Sequence, residues 1–331
     1  MNADLRSTLL DLLAADEPWA PDGAWDPSAA LATFSRLRDD GWCGVGLPED
    51  LGGSSGTLQD ATDVVAATAE TGQRSPLGDV LLRTNPLVAL VRMPLPDEVT
   101  CCVVVGTPAG QDADGRVWVS ASRVPWAAWA SHLLVASDSP QGATLHLIRT
   151  AEATVTAGSN LAGESRDLVV ASGATPVLSQ TTNLPIDIVL HEVRLGGALA
   201  RGVQLAAAAN AVLDLTARYV TTRQQFGRAL RDYQAVQQHL AAMAGDAAAA
   251  TAAVELAVGR ARIGDAWPSV PIALAKVRAG SAASAVARLG HQLHGAIGIS
   301  REYPLQRHTT QIWSWRDEEG SESEWARVVA N

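Results

Sequence analysis

The sequence predicts an α+β chain, mainly α, with three domains in series. An N-terminal helical domain is expected over residues 1–92, a small middle β domain over 93–196 and a C-terminal four-helix bundle over 197–331. Helical spacing of apolar residues in the first zone, short β-branched runs in the second and long alanine-rich stripes in the third support this division. The length of 331 residues also exceeds what one ordinary core accommodates.

The first zone contains three predicted amphipathic helices. Leucines cluster between Leu5 and Leu13, and the apolar residues of 28–39 and 58–71 recur every three or four positions. The turn-rich stretch 47–53, which ends in two glycines, separates the second helix from the third.

The middle zone changes from helical to strand-like spacing. The sequence DADG at 112–115 predicts a turn between the first two strands. Five short apolar or β-branched runs predict strands, at 100–105, 116–120, 133–136, 145–148 and 188–193.

The third zone is dominated by long helices. A helix beginning near Ser269 is expected to end at Gly295, where a glycine can terminate it. Packing in a four-helix bundle is the simplest way to bury such long stripes. The preceding helix carries one apolar face over about six turns, formed by Val236, Leu240, Met243, Ala247, Ala250, Val254 and Val258.

Composition excludes several classes of function. The formal net charge of -10 argues against nucleic-acid binding as the main role. Cys43, Cys101 and Cys102 show no metal-ligand spacing, and they favour a reduced cytoplasmic location. We expect neither a signal peptide nor a membrane span, because no apolar run reaches about 18 residues.

Two motif blocks carry a resemblance to a known family. The first is YVTTRQQFG at 219–227, followed by YQAVQ at 233–237; the second is QLHGAIG at 292–298, followed by EYPL at 302–305. Their residues, order and separation resemble the signature stretches of the acyl-CoA dehydrogenase family. Smaller pieces near residues 41–53 resemble the N-terminal domain of that family, so the resemblance covers essentially the whole chain. It implies an FAD-dependent enzyme that desaturates an acyl-CoA thioester between the α and β carbons.

The resemblance also implies which residues bind FAD. Arg223 is expected to pair with the pyrophosphate of an FAD held mainly by a neighbouring subunit, since a guanidinium can bind it as a fork. The alternative is that Arg223 only caps the C-terminal end of a helix. The residues assigned to the cofactor are Arg223, Phe226, Gln234, Gln292, Gly295 and Ala296.

The chain departs from the family at the flavin-ring loop. In other members this loop carries a hydroxyl residue followed by an acid; the stretch 101–108 holds no such pair, so the chain's own flavin half-site looks damaged. The tail 313–318 resembles the short subunits of heteromeric steroid-degrading acyl-CoA dehydrogenases. This implies an α2β2 heterotetramer with a homologous partner, a bulky steroid-like acyl-CoA substrate, and electron-transfer flavoprotein or a similar acceptor.

The catalytic base is the second departure. Glu319 falls where many family members carry the glutamate that removes the α proton, but an acidic, solvated tail is the alternative. Glu318 replaces the usual aromatic residue and is expected to repel Glu319. The second family position for a base, within 195–205, holds no acid. Three hypotheses therefore stay open: a subunit whose base comes from its partner, a complete homo-oligomer that uses Glu319, and a non-catalytic or redox-free family member.

Two other features are expected to be structural. The segment 160–167 is predicted to form a turn with internal charge pairs. His291 and His294 are predicted to lie on a helix surface or at an interface rather than to shuttle protons.

Overall fold

The N-terminal domain is helical, as predicted. The computed structural model describes residues 3–15, 19, 23–105 and 108–330, and the side chain of Leu5 lies outside the described part. Thr57 and Asp60 form a capping box that fixes the start of the third helix. The helices are α1 Ala3–Ala15, α2 Pro27–Asp39, α3 Leu58–Glu70, α4 Leu77–Asp79, which continues into a π-turn at Val80–Thr84, and α5 Asn85–Leu90.

The middle domain is a sandwich of two four-stranded sheets. One sheet has the order β1-β4-β5-β8, and only its β1–β4 pair is parallel; the other has the order β2-β3-β7-β6. Valines of both sheets share one buried core, which stacks the sheets face to face. The strands are β1 Cys102–Val105, β2 Ala109–Gln111, β3 Val117–Pro125, β4 His132–Ser139, β5 Gly142–Arg149, β6 Thr154–Thr156, β7 Arg166–Ala174 and β8 Leu178–Thr181.

The strand predicted at 188–193 is wrong. These residues lie in the helix α6, Ile186–Thr222, which runs without a break into the bundle. Val189 and Val193 are four positions apart and both pack on the leucines of β5, as one face of a helix does. A run of six residues was too short for its period to be decisive. The proposed domain limit at 196/197 falls within α6.

The C-terminal part of the chain is a bundle of helices, which confirms the predicted fold class. The helices α7, Gln234–Arg260, and α8, Ser269–His294, pack against α6, and α9, Leu305–Asp317, lies against α6 and α8. α10, Glu322–Ala330, packs on α8. Of the predicted stripe on α7, Met243 through Val258 are buried, whereas Val236 and Leu240 are only partly covered.

The helix α7 has a second, exposed face of alanine and glycine. By length and mean hydropathy it is the one helix in the described part of the chain that could cross a membrane. Alanine has an apolar hydropathy value, so the alanines of both faces raise the mean hydropathy of α7. Because the other face packs on α6 and α8, bundle packing accounts for the composition of α7.

Candidate functional site

The two motif blocks meet at one end of the bundle. Arg223 caps the end of α6, and a short ribbon of β9, Gln224–Gln225, and β10, Arg228–Ala229, leads into α7. The ring of Tyr219 stacks on His294 at the end of α8, with 4.4 Å between ring centroids. The Tyr219 hydroxyl also donates to the His294 carbonyl at 3.4 Å. Residues about seventy positions apart thereby form one surface.

This surface is open to solvent. Phe226 is 93 % exposed, and the other side chains assigned to FAD are exposed as well. Gly227 and Gly295 have φ values of +81° and +62°, and no atom lies within 4 Å of the position a Cβ would take on either. Only glycine adopts such conformations readily, and here it leaves main chain uncovered. We call this surface, residues 223–234 with 292–296, the bundle-end half-site.

Arg223 is the free cation of the bundle-end half-site. Within the described ranges no carboxylate pairs with its guanidinium, and its side chain makes no capping contact with the carbonyls of α6. Only its main chain is engaged: its N–H donates to the carbonyl of Tyr219 at 2.9 Å, and its carbonyl accepts from the N–H of Leu230 at 2.9 Å. An exposed, unpaired guanidinium beside open main chain is suited to binding a phosphate.

The histidine prediction is wrong for His294. His294 is buried, its Nδ1 lies 2.8 Å from the Gly290 carbonyl, and its Nε2 lies 3.2 Å from the Tyr303 hydroxyl. Burial lowers the pKa of His294, which favours the neutral ring. His294 therefore joins the two motif blocks as a packing residue.

A buried ion network lies where α6, β7 and the turn after α9 meet. Arg201 donates to both carboxylate oxygens of Asp79 at 3.0 Å and, through Nε, to Glu318 at 2.8 Å. Arg166 donates to Glu318 at 2.7 Å and to Glu164 at 3.0 Å. All five side chains are buried. The segment 160–167 is thus a turn that leads into β7, with one internal charge pair, Arg166 with Glu164, and it also contacts the C-terminal turn.

Glu318 is neutralised by this network. Burial alone raises its pKa, but the charges of Arg201 and Arg166 and the hydrogen bonds from Arg166 and Asn160 outweigh burial and lower the pKa to about 2. The expectation that Glu318 repels Glu319 is therefore wrong, because two guanidinium groups compensate its charge.

The ionisation of Glu318 makes the free energy of unfolding depend on pH in the acid range. Its folded pKa lies below the usual 4.5, so it contributes stability above about pH 4.5 and loses that contribution as pH falls towards 2. We expect the Glu318→Gln variant to be clearly less stable than the native chain at pH 6. Urea unfolding at pH 6, 4.5 and 3 should show this gap narrowing, and a constant gap would contradict the assignment.

Glu319 is held, not solvated. Its side chain is 17 % exposed, and its carboxylate lies 3.3 Å from Nη1 of Arg83. Its carbonyl accepts a hydrogen bond from the indole of Trp325 at 2.9 Å. The alternative of an acidic solvated tail is therefore wrong for Glu318 and Glu319.

Gly197 makes the room that Glu319 occupies. A Cβ on Gly197 would lie 2.7 Å from Cδ of Glu319. The acid-free stretch 195–205 therefore faces the glutamate across a gap that only glycine leaves.

Gly197→Ala is expected to displace the Glu319 carboxylate without unfolding the chain. The clash falls on the end of a flexible side chain, while alanine favours a helix by roughly 0.5–1 kcal/mol over glycine. Urea unfolding should stay within about 1 kcal/mol of the native chain, while the NMR resonance of the Trp325 indole N–H, which donates to the Glu319 carbonyl, shifts. Gly202→Ala is the matched control, because its nearest contact would be an ordinary 3.8 Å. Equal Trp325 spectra for both variants would contradict the displacement.

An open cavity of about 400 Å³ adjoins Glu319. Arg123, in the left-handed region with φ +60°, lies at a bulge of β3 beside it. Residues 106–107, part of the predicted departure at the flavin-ring loop, lie outside the described residues. The charged lining suits a polar group rather than an alkyl chain; it consists of Arg123, Pro125, Arg166, Asp317, Glu318 and Glu319.

Sequence reasoning missed the basic residues of this region. Arg201 and Lys276 each lie among alanines and other apolar residues of a buried helix face. A lone charge in such a stripe was the available signal, because a buried charge requires partners.

Solved structures show which class of protein has this fold. The ChsE4–ChsE5 complex from Mycobacterium tuberculosis matches 99 % of this chain and 95 % of its own with a TM-score of 0.79 and 20 % identity. A variant of the Tcur3481–Tcur3483 steroid ACAD matches 99 % of this chain and 96 % of its own, with a TM-score of 0.78 and 20 % identity. The fold over the whole chain is that of acyl-CoA dehydrogenases.

The sequence comparisons agree with the fold. Residues 195–330 match the model of the acyl-CoA dehydrogenase C-terminal domain. The acyl-CoA dehydrogenase IpdE2 of Mycolicibacterium smegmatis is 26 % identical over 268 residues, 78 % of this chain and 74 % of that protein. Curated relatives with 33–39 % identity match over only 25–35 % of their own length.

Proposed function

We propose that this chain is one subunit of an FAD-dependent acyl-CoA dehydrogenase whose FAD lies at an interface with a homologous chain. The proposal rests on the bundle-end half-site. The residues assigned to FAD converge on one surface, yet no part of the described chain covers them. A dinucleotide bound there needs a second body to enclose it.

The half-site fits part of FAD. Members of the family are FAD-dependent flavoproteins. Arg223 would hold the pyrophosphate, Gln234 and Gln292 would hydrogen-bond the adenylate or pyrophosphate side, and the uncovered main chain at Gly295 permits close approach. When bound, FAD accepts the hydride from the β carbon of the acyl group.

The proton on the α carbon requires a carboxylate. Glu319 is the candidate of this chain, because Gly197 leaves it space and Arg83 fixes one of its oxygens. In a complete homo-oligomer Glu319 is the base; in the shared-site assembly a partner residue can take this role instead.

The resemblances support a heteromer. Two matching structures are of paired chains, and one of them is described as a steroid ACAD. We therefore infer an α2β2 assembly with a homologous subunit, a bulky steroid side-chain-like acyl-CoA as substrate, and electron-transfer flavoprotein or a similar acceptor. The three cysteines are free and buried, which supports a cytoplasmic location.

The activity of the assembly tests the proposal. With a steroid side-chain acyl-CoA and a dye acceptor, we expect turnover when this chain is co-purified with the homologous neighbouring chain and none from either chain alone. Turnover by the isolated chain would favour the homo-oligomer. No turnover in any preparation would favour the non-catalytic reading.

Glu319→Gln then locates the base. If Glu319 is the base, we expect kcat to fall at least about 100-fold, as loss of general base catalysis does. Asp317→Asn, which lines the same cavity but is exposed, should leave kcat within about twofold. Unchanged turnover in Glu319→Gln would assign the base to the partner.

A further inference from the structure

Lys276 is buried without an acidic partner. Its side chain on α8 is 0 % exposed, and no carboxylate of the described chain lies within ion-pair distance. Its Nζ instead donates to three main-chain carbonyls: Arg316 at 2.7 Å, Trp315 at 3.2 Å and Gly320 at 3.3 Å. Lysine is rarely buried in this way, because an ammonium normally keeps water or a carboxylate beside it.

The three carbonyls lie on both sides of Glu318 and Glu319 along the chain. Trp315 and Arg316 belong to the last turn of α9, whose final carbonyls have no partner within the helix. Gly320 follows directly after Glu319. The ammonium therefore caps the C-terminus of α9, where a cation is favoured, and joins it to the far side of the turn. We call residues 317–320 the Glu319 turn.

The Glu319 turn has a backbone that needs such support. Glu319 has a φ of +57° and Gly320 one of +105°. A residue other than glycine stays in this region only where its surroundings impose it. Arg166 and Arg201 hold the side chain of Glu318 but donate no hydrogen bond to the main chain of the turn. The Trp325 indole holds the Glu319 carbonyl, and Lys276 holds the carbonyls on either side.

We propose that Lys276 is a positioning residue that fixes the main chain of the Glu319 turn and thereby sets where the Glu319 carboxylate stands. Lys276 does not line the adjacent cavity, so it acts through the turn. The placement of the turn is independent of the proposed function; only the chemical role of Glu319 rests on it.

The ionisation of Lys276 is coupled to the turn. Burial, with a smaller effect of Arg201 on α6, lowers the pKa of Lys276 to about 8, against the opposite pull of Glu319, Asp317 and Glu318. Glu322 of α10 also faces this stretch of α8, near Gly280. An opening of the turn that hydrates Lys276 restores the ordinary, higher pKa. Opening therefore becomes rarer as pH rises through about 8.

Hydrogen exchange of the isolated chain tests the proposal without FAD, partner or substrate. In Lys276→Met, which removes the donors at similar volume, we expect amides of 317–321 to exchange at least about 10-fold faster, since three buried or partly buried carbonyls lose their donor. Lys276→Arg, which keeps charge and donors, should exchange more slowly than the methionine variant. Val286→Ala, buried on the same helix but distant from the turn, should leave this peptide unchanged. Exchange within twofold of native in Lys276→Met would overturn the proposal.

The pH dependence keeps the test decisive if Lys276→Met does not fold. In the native chain, the protection of 317–321, corrected for intrinsic rates, should rise several-fold between pH 7.5 and 9.5. Flat protection, together with exchange in Lys276→Arg as fast as in Lys276→Met, would overturn the proposal. Where Lys276→Met folds, its protection should not rise, which separates Lys276 from the neighbouring acids. Absence of flavin in every preparation would refute the proposed function and leave these results standing.

Discussion

Replacing Arg201 by methionine is expected to lower the free energy of unfolding by roughly 3–5 kcal/mol, as removal of one partner from a buried ion pair does. Arg201 is 1 % exposed and is the only residue of the described chain that bonds both Asp79 and Glu318. Methionine fills similar space but leaves two buried carboxylates with fewer donors. Urea unfolding at pH 7 measures the change.

Arg92→Met is the matched control for Arg201. Arg92 pairs with Asp50 at a comparable 2.9 Å, but the two side chains are 73 % and 61 % exposed. Exposed pairs contribute about 0–1 kcal/mol, so this variant should remain close to native. Similar losses of unfolding free energy in Arg201→Met and Arg92→Met would contradict the claim that burial makes the Arg201 ion pairs costly to break. Apolar replacement of Arg201, Asp79 and Glu318 together should recover part of the loss, because no charge is then left unpaired.

Replacing Arg223 by glutamine is expected to weaken FAD binding in the assembled complex about 100-fold. A forked guanidinium makes two charge-assisted hydrogen bonds to a pyrophosphate, each worth about 1.5 kcal/mol or more. Because Arg223 is exposed and unpaired in the described chain, the variant should unfold at the native urea concentration. FAD titration followed by flavin fluorescence gives the affinity.

Arg260→Gln controls for the loss of one positive charge. Arg260 is exposed at the opposite end of α7, roughly 40 Å along the helix axis at 1.5 Å per residue. The FAD affinity of the complex that carries Arg260→Gln should stay within about twofold of native. An equal loss in both variants would mean that net charge, not the placement of Arg223, governs binding.

Much of the fold followed from local patterns, and the exceptions have physical causes. The stripe on α7 and four strands of the sandwich, β1, β3, β4 and β5, were predictable because each depends on residues a few positions apart. The other four strands, β2, β6, β7 and β8, were not predicted. The run 188–193 failed because its valines suit a strand and a helix face equally well. The order of the motifs along the chain also indicated where Arg223, at the end of α6, and Glu319, in the turn after α9, lie in the fold.

The electrostatics of the site could not be predicted from the sequence. Arg201 and Glu318 are 117 residues apart, and Arg166 and Glu318 are 152 apart. Only the packing of the middle domain on the C-terminal bundle brings them together. The sequence therefore predicted repulsion at Glu318, where the fold supplies two arginines and a lysine-capped turn.

The flavin content of the purified chain, alone and with its homologous partner, tests the shared site most directly. We predict a colourless isolated chain and a yellow complex with about one FAD per pair of chains, read from visible absorbance against protein concentration. One FAD per chain in the isolated protein would contradict the shared site and make the Glu319-dependent homo-oligomer the better account.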